Sequence, residues 1–355
     1  MRIAQIAPLY ECVPPKLYGG TERIVSYLTE ELVREGHEVT LFASGDSMTQ
    51  ANLVPACPQA LRLNGGCVDS LAHHVRMLES VAARQNEFDI MHFHIDYLHF
   101  PLTRALNWTT LTTLHGRLDI NDLVPVYQEF RELPVSSISN AQRKPLPWLN
   151  WQGTVYHGLP DNQYEFSPKA DGYLAFLGRT SPEKGLDRAI AIAQRVGLPL
   201  KIGAKVDAVD RDYFEAHIKP LLRNPQIEFL GEVGFPEKNE LLGGAVALLF
   251  PIMWPEPFGI VMIEAMACGT PIIAYPYGSV PEVIEDGVNG CVVSDEDGAI
   301  AAIQNIERID RALCRKQFEE RFTSRHMSAG YTALYEALLR QEGQAITASS
   351  GVPIG

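Results

Sequence analysis

The stretch Glu256-Pro-Phe-Gly-Ile-Val-Met-Ile-Glu264 separates two carboxylates by seven residues around a Pro-Phe-Gly elbow, then continues into Ala265-Met-Ala-Cys-Gly-Thr-Pro-Ile-Ile273. Ionised carboxylates only accept hydrogen bonds, so a pair flanking a turn suits the adjacent hydroxyls of a ribose or another sugar. A strand-like run from Ala245 to Ile252 leads into the elbow, Ile260 to Ala267 reads as a buried helix, and Gly269 offers a left-handed stop. The elbow therefore falls at a helix N-terminus, where the amides of Phe258, Gly259 and Ile260 and the positive end of the dipole favour phosphate or hydroxyl oxygens. Taken alone, the same residues also fit a surface Glu, a turn and a second Glu at a helix edge.

A second group of chemistry-bearing residues lies upstream. Behind a strand at Leu174 to Leu177, Gly178-Arg-Thr-Ser-Pro-Glu-Lys-Gly185 opens onto a helix from Leu186 to Val196. Gly178 permits close backbone approach, while the fork of Arg179 and the mobile ammonium of Lys184 at a helix start form a diphosphate clamp; a solvated loop with two ordinary cations is the alternative. Near the N-terminus, Gly19-Gly20-Thr-Glu-Arg23 precedes a helix to Arg34, with Thr21 as the expected N-cap and the glycines letting amides reach a ligand. The loop Leu9 to Tyr18 is longer than a dinucleotide-binding turn and no G-x-G-x-x-G occurs there, which argues against an NAD or FAD enzyme.

His115-Gly116 closes an apolar run, Thr109 to Leu114, and sits at the carboxyl end of that strand, as a ligand-facing ring or as a capped strand-end histidine. His92, His94 and His99 cluster with Asp96, but no supporting acidic ligands are arranged for a metal, and structural or substrate-lining roles fit better. Trp148 and Trp151 fit interdomain packing better than stacking on an acceptor ring, and Met262, Met266 and Cys268 read as core.

These residues need elements to hold them. A chain of 355 residues exceeds one compact core and is expected to form two domains. Strand-like runs at Ile3 to Pro8, Glu38 to Ala43, Ile90 to Phe93, Thr109 to Leu114, Val135 to Ile138 and Thr154 to Tyr156 alternate with helical segments. A polar linker follows, and a second series begins at Tyr173 with strands at Leu198 to Ile202, Ile227 to Leu230, Ala245 to Ile252, Pro271 to Ala274 and Gly290 to Val293. Alternation of this kind predicts an α/β fold of two doubly wound parallel-sheet, Rossmann-like domains, with ligands beyond the carboxyl ends of the strands in a cleft between them. The expected boundaries are 1–158, a linker at 159–172, a second domain at 173–325, a helix at 326–342 returning toward the first domain, and a flexible tail at 343–355.

The formal charge of -13 and the absence of a concentrated basic patch argue against nucleic acid. Six scattered cysteines without a C-x-x-C pair, no apolar run of membrane-spanning length and no leader-like start lead us to expect a cytoplasmic protein. Residues 1–157 carry 12 Lys and Arg against 16 Asp and Glu, so no basic membrane-docking patch is evident.

The Glu256 to Ile273 stretch resembles the E-x7-E signature of retaining family 4 glycosyltransferases, including the small residues and the Gly-Thr-Pro that follow. Arg179 and Lys184 match the positions that hold the donor's diphosphate in that family. The likeness covers residues 1 to 340 and is strongest from Tyr173 to Val293. It implies a GT-B fold and transfer of a hexose from a nucleotide diphosphate sugar to a hydroxyl, with retention. By the same resemblance Glu256 takes the sugar hydroxyls and Glu264 the ribose, Gly19 and Gly20 present a loop to donor phosphate or acceptor, and His115 reaches the donor sugar. His157-Gly158 stands where many relatives have Asn-Gly, a departure from the pattern. The D-x-D cation motif of the other major class is absent and Asp207-Ala-Val-Asp210 does not replace it, so no metal and no separate cofactor are expected. UDP-glucose is the expected donor, with GDP-mannose behind it, and a small soluble molecule the expected acceptor. A sugar-nucleotide epimerase of the same architecture and a catalytically idle nucleotide-sugar sensor are the rival readings; a glycogen-type synthase fits less well, because the chain lacks that group's longer insertions.

Overall fold

The computed structural model describes residues 1–17, 19–62 and 64–350, the segment 342–350 by its backbone alone. The chain forms two compact units. The first comprises 1–138, 143–156 and the helix Ser324–Ser350; the second comprises 139–142 and 157–323.

In the first unit the strands β1 (Arg2–Ile6), β2 (Glu38–Ser44), β3 (Asn52–Cys57), β4 (Ile90–Phe93), β5 (Thr110–Thr113), β6 (Val135–Ser137) and β7 (Trp151–Thr154) form a parallel sheet in the order β3-β2-β1-β4-β5-β6-β7. β1 and β4 are buried along nearly their whole length, as strands covered on both faces must be. Ile3 pairs with Val39 on one side and Ile90 on the other, so strand order reverses between β1 and β4. Ile6, Phe42, Met77, Val81, Phe93 and Trp108 fill one core cluster. The helix Ser324–Ser350 belongs to this unit: Gly330 lies against Val155 and Leu334 against Gly153, where an added Cβ would stand 3.0 Å and 2.9 Å from those side chains.

The second unit repeats the plan. Its strands β8 (Tyr173–Arg179), β9 (Leu200–Lys205), β10 (Ile227–Gly231), β11 (Ala245–Phe250), β12 (Ile272–Ala274) and β13 (Gly290–Val292) form a parallel sheet in the order β10-β9-β8-β11-β12-β13. The reversal here falls between β8 and β11. Leu174, Phe176, Ile190, Ile202 and Leu249 meet in its core.

Several boundaries differ from the sequence reading. The last strand of the first sheet is Trp151–Thr154 and not Thr154 to Tyr156, because pairing of Val135 with Trp151 sets it. β3 carries Pro55, which a central strand does not accommodate but this edge strand does, and that proline hid it. The helix Ser70–Ala83 was also missed, although the Asp69 carboxylate caps the amides of Leu71 and Ala72. Trp151 packs beside the first unit's own cluster with its indole N–H on the Leu146 carbonyl at 3.0 Å, while Trp148 is exposed. Of the segment expected to be a flexible tail, residues 343–350 continue the final helix and 351–355 lie outside the described residues.

The polar stretch after Gly158 is held to the second unit by two arginines from the helix Arg311–Arg321. Arg311 donates to the carbonyls of Ser167, Ala245 and Gly243, each at 2.7 Å, and to Thr270 Oγ1 at 2.8 Å. Arg315 donates to the carbonyls of Tyr164, Ala267 and Asp161 at 2.7–2.9 Å. A planar fork satisfying several orphan carbonyls fixes the segment more firmly than its composition suggests. Arg311→Ala leaves those carbonyls without their donor and is expected to cost about 3 kcal/mol, read from the denaturation midpoint at unchanged slope.

Candidate active site

The two motifs of the second unit follow β8 and β11, the neighbouring strands at which its order reverses, and parallel sheets bind ligands at that point. The backbone joins them. Gly185 adopts φ 72°, and a Cβ there would lie 2.2 Å from the Pro251 carbonyl oxygen, so only glycine lets the loops approach. The Met253 amide donates to the Glu183 carbonyl at 2.9 Å. Gly278 closes the other side, where a Cβ would stand 2.2 Å and 2.3 Å from the Glu256 backbone. Ser279 then donates from its amide to the Glu256 carbonyl at 3.0 Å and from its hydroxyl to the Phe258 carbonyl at 2.7 Å. The elbow ends at Gly259, φ 75°, and the helix runs Ile260–Ala267 with Gly269 left-handed behind it, as expected.

That frame brings Lys184 onto Glu256, 72 positions away, as a salt bridge with side chains only 16% and 10% exposed. Trp254 completes a triad: its indole N–H donates to Glu256 Oε2 at 3.0 Å and its ring lies 4.6 Å beneath the Lys184 ammonium. Arg179, at the end of β8, donates to Glu183 at 3.0 Å and stands 3.7 Å from Asp207, which also pairs with Lys205 at 2.6 Å. Arg179, Lys184 and Lys205 are thus each balanced by carboxylates. A Cβ at Gly178 would meet only the Phe176 ring, at 3.8 Å and beyond, so the protein itself does not demand glycine there. Glu264 is buried, and its Oε1 accepts from Tyr164 at 2.8 Å and from Lys238 at 2.7 Å. His157 packs its ring 4.9 Å from Phe258 in the elbow.

The remaining candidates lie in the first unit. Gly19, not Thr21, is the residue before the helix Gly20–Arg34: the cap lies two residues earlier than expected, the Arg23 amide bonds the Gly19 carbonyl at 3.1 Å, and Thr21 falls inside the first turn. His115 follows β5 and joins His94 at 2.9 Å. Burial holds its ring uncharged, with a pKa pushed down to about 3. His92 bonds Tyr335 and Thr113, and His99 bonds Thr103 and Thr112, so these two rings are turned to separate partners. Among the described residues no group of three or more His, Cys, Asp or Glu is arranged to hold a metal ion.

Sequence reasoning passed over Trp254, Tyr164 and Lys238, which fix the two glutamates; no spacing marks them, since only folding brings them to the carboxylates. It also passed over Glu22 and gave Asp96 no role beyond the discarded metal site. Asp96 takes the left-handed region at φ 50°, and burial raises its carboxyl to about 6. Glu22, two residues after the glycine pair, is raised by burial to about 7, its own amide opposing.

The description Glycosyl transferases group 1 matches residues 161–325, and Glycosyltransferase Family 4 matches residues 18–158. The chain is 24% identical to the O-antigen chain mannosyltransferase C of Escherichia coli over 381 aligned positions, covering 95% of this chain and 100% of that one. It is 28% identical to the N-acetyl-alpha-D-glucosaminyl L-malate synthase of Bacillus anthracis, covering 91% and 95%. Among solved structures, AviGT4, a glycosyltransferase involved in avilamycin A biosynthesis, superposes with TM-score 0.73 at 20% identity, covering 96% of this chain and 98% of that one. HepE of Anabaena in complex with UDP and glucose gives TM-score 0.73 at 18% identity, covering 95% and 100%.

Two outcomes follow from this geometry. Gly185→Ala should cost about 3 kcal/mol or more, from the left-handed backbone and the blocked Pro251 carbonyl together, with a lowered melting temperature as the measure. Glu22 keeps its proton up to about 7 when folded but sheds it near 4.5 when unfolded, so stability falls as pH rises through that window and changes no further above it. Glu22→Gln should therefore match the wild type at pH 4 and exceed it by up to about 3 kcal/mol at pH 8 in urea titrations.

Proposed function

As a member of the family 4 glycosyltransferases with the GT-B fold, this chain transfers a sugar from a nucleotide-sugar donor, and we propose that it moves a hexose, with retention at the anomeric carbon, onto the hydroxyl of a small soluble acceptor. The observation that carries the reading is the Lys184–Glu256–Trp254 triad, which unites the phosphate loop and the first carboxylate of the elbow in one site.

In the proposed reaction the bond from the anomeric carbon to the diphosphate breaks while the acceptor oxygen bonds that carbon on the same face. The acceptor's proton passes to the departing phosphate oxygen. Arg179, Lys184 and the amides of Phe258 to Ile260 take up the charge that gathers on the leaving group, which is the place where fixed donors lower a barrier most. This charge balance requires no metal. Glu256 accepts from the sugar's hydroxyls, Glu264 accepts from the ribose, and His115 meets the transferred sugar. Gly19 and Gly20 offer amides to phosphate or acceptor.

UDP-glucose is proposed as the donor, supported by the family resemblance and by the UDP and glucose bound in HepE. GDP-mannose is the second reading, favoured by the mannosyltransferase among the relatives. A panel of nucleotide sugars in thermal-shift titration ranks the donors, and the anomeric coupling constant of the product tests retention. Arg179→Ala and Lys184→Ala are each expected to lower kcat/KM by roughly 100- to 1000-fold with the fold retained by circular dichroism. Near-normal turnover in either variant would sink the diphosphate assignment.

A further inference from the structure

Trp254 reaches the ion pair of the second unit through the backbone beside it. The Glu256 amide donates to the Trp254 carbonyl at 2.8 Å, so the chain makes a three-residue turn over Pro255. The side chains on either side of the proline meet, and the indole N–H of Trp254 donates to Glu256 Oε2 at 3.0 Å. Lys184, from the loop after β8, bonds the same oxygen, and its ammonium lies 4.6 Å from the centre of the Trp254 ring. One side chain therefore touches both halves of the ion pair, with its N–H on the anion and its π face on the cation. All three residues belong to the second unit.

Both donors share Oε2, and the rest of the pair stays uncommitted. Among the described residues Glu256 Oε1 has no hydrogen-bond partner, although the side chain is only 10% exposed. The Lys184 ammonium carries three N–H donors and has no acceptor besides Glu256 among those residues. Nothing covalent distinguishes the two carboxylate oxygens: the last torsion of a glutamate is broad and two-fold, and a lysine alone draws the group by either oxygen or by both. The indole breaks that equivalence. A second donor, fixed by the turn over Pro255, holds Oε2 in place by a charge-assisted bond and keeps Oε1 off Lys184.

We propose that Trp254 is a positioning residue for the nucleotide-sugar donor and that its two parts serve the two ends of that ligand. The N–H sets the Glu256 carboxylate so that Oε1 accepts from a hydroxyl of the sugar. The ring seats the ammonium so that Lys184 keeps an N–H for the diphosphate. This rests on the roles given to Glu256 and Lys184 under Proposed function. Loss of the N–H alone lets the carboxylate turn and take Lys184 through both oxygens, which removes the acceptor for the sugar and leaves the cation seated. Loss of the ring as well releases the cation.

The test is isothermal titration of the full-length protein with UDP-glucose against UDP, and with GDP-mannose against GDP. Trp254→Phe keeps a ring and loses the N–H, so affinity for the nucleotide sugar should fall about tenfold and that for the nucleoside diphosphate by less than about twofold. In Trp254→Leu both should fall, the nucleoside diphosphate by about fivefold. The loss specific to the nucleotide sugar should disappear when Trp254→Phe is made on Glu256→Ala, because the N–H acts through that carboxylate. Equal changes for the two ligands in Trp254→Phe, or a loss that persists undiminished on Glu256→Ala, would overturn the proposal while leaving the donor reading in place. A wild type that binds none of these ligands overturns the donor reading itself. A ligand-free measurement stands beside the titrations: of the four tryptophan indole signals in the proton–nitrogen NMR spectrum, that of Trp254, identified by its loss in Trp254→Phe or Trp254→Leu, should move upfield in Glu256→Ala. An unmoved signal overturns the proposal whatever binds, and it decides the matter if Trp254→Phe does not fold.

Discussion

The second unit depends on one close approach, the Gly185 backbone beneath the Pro251 carbonyl, at a distance that admits no side chain. Through it the loop after β8 and the loop after β11 become a single rigid surface, reinforced by the amide of Met253 on the carbonyl of Glu183. Lys184 and Glu256 then meet as a consequence of backbone geometry and not of a search by two long side chains. A buried ion pair made this way loses little side-chain entropy on forming, and Trp254 shields it from water on one face.

The arrangement also explains why cations and carboxylates are interleaved. An isolated buried ammonium would be expensive to hold, so Lys184 rests on Glu256 and Arg179 rests on Glu183 and Asp207. Each carboxylate keeps its cation in place. Glu264 follows a different logic: Tyr164 and Lys238 both engage Oε1, which fixes the plane of the carboxylate from the side of the linker and of the helix Phe235–Gly243. The segment that composition marks as a linker is therefore part of the site's support, pinned by Arg311 and Arg315.

The first unit uses buried polar groups in a similar manner. His92, His94, Gln5, Tyr331 and Tyr335 could have been apolar in a core of this size, and each buried hydrogen-bonding group carries a desolvation cost that only a complete network offsets. His115 and the left-handed Asp96 lie on the segments that follow β5 and β4.

Much of this was legible in the sequence because it is local. The helices Leu186–Val196 and Ile260–Ala267 begin and end where their apolar residues and glycines dictate, and the alternation of strands and helices specifies two parallel sheets. The types and spacing of Arg179, Lys184, Glu256 and Glu264 suited phosphate and hydroxyl groups, and the resemblance to family 4 glycosyltransferases is what implied a nucleotide sugar. What the sequence could not contain is long-range registry. Nothing near Trp254 says that its indole will face Glu256, nothing near Tyr164 or Lys238 points to Glu264, and no spacing links Gln5 to Tyr335, 330 residues later. Those pairings are decided only when parallel strands set distant segments side by side, because strand order and close backbone contacts, unlike propensity and periodicity, are properties of the whole chain.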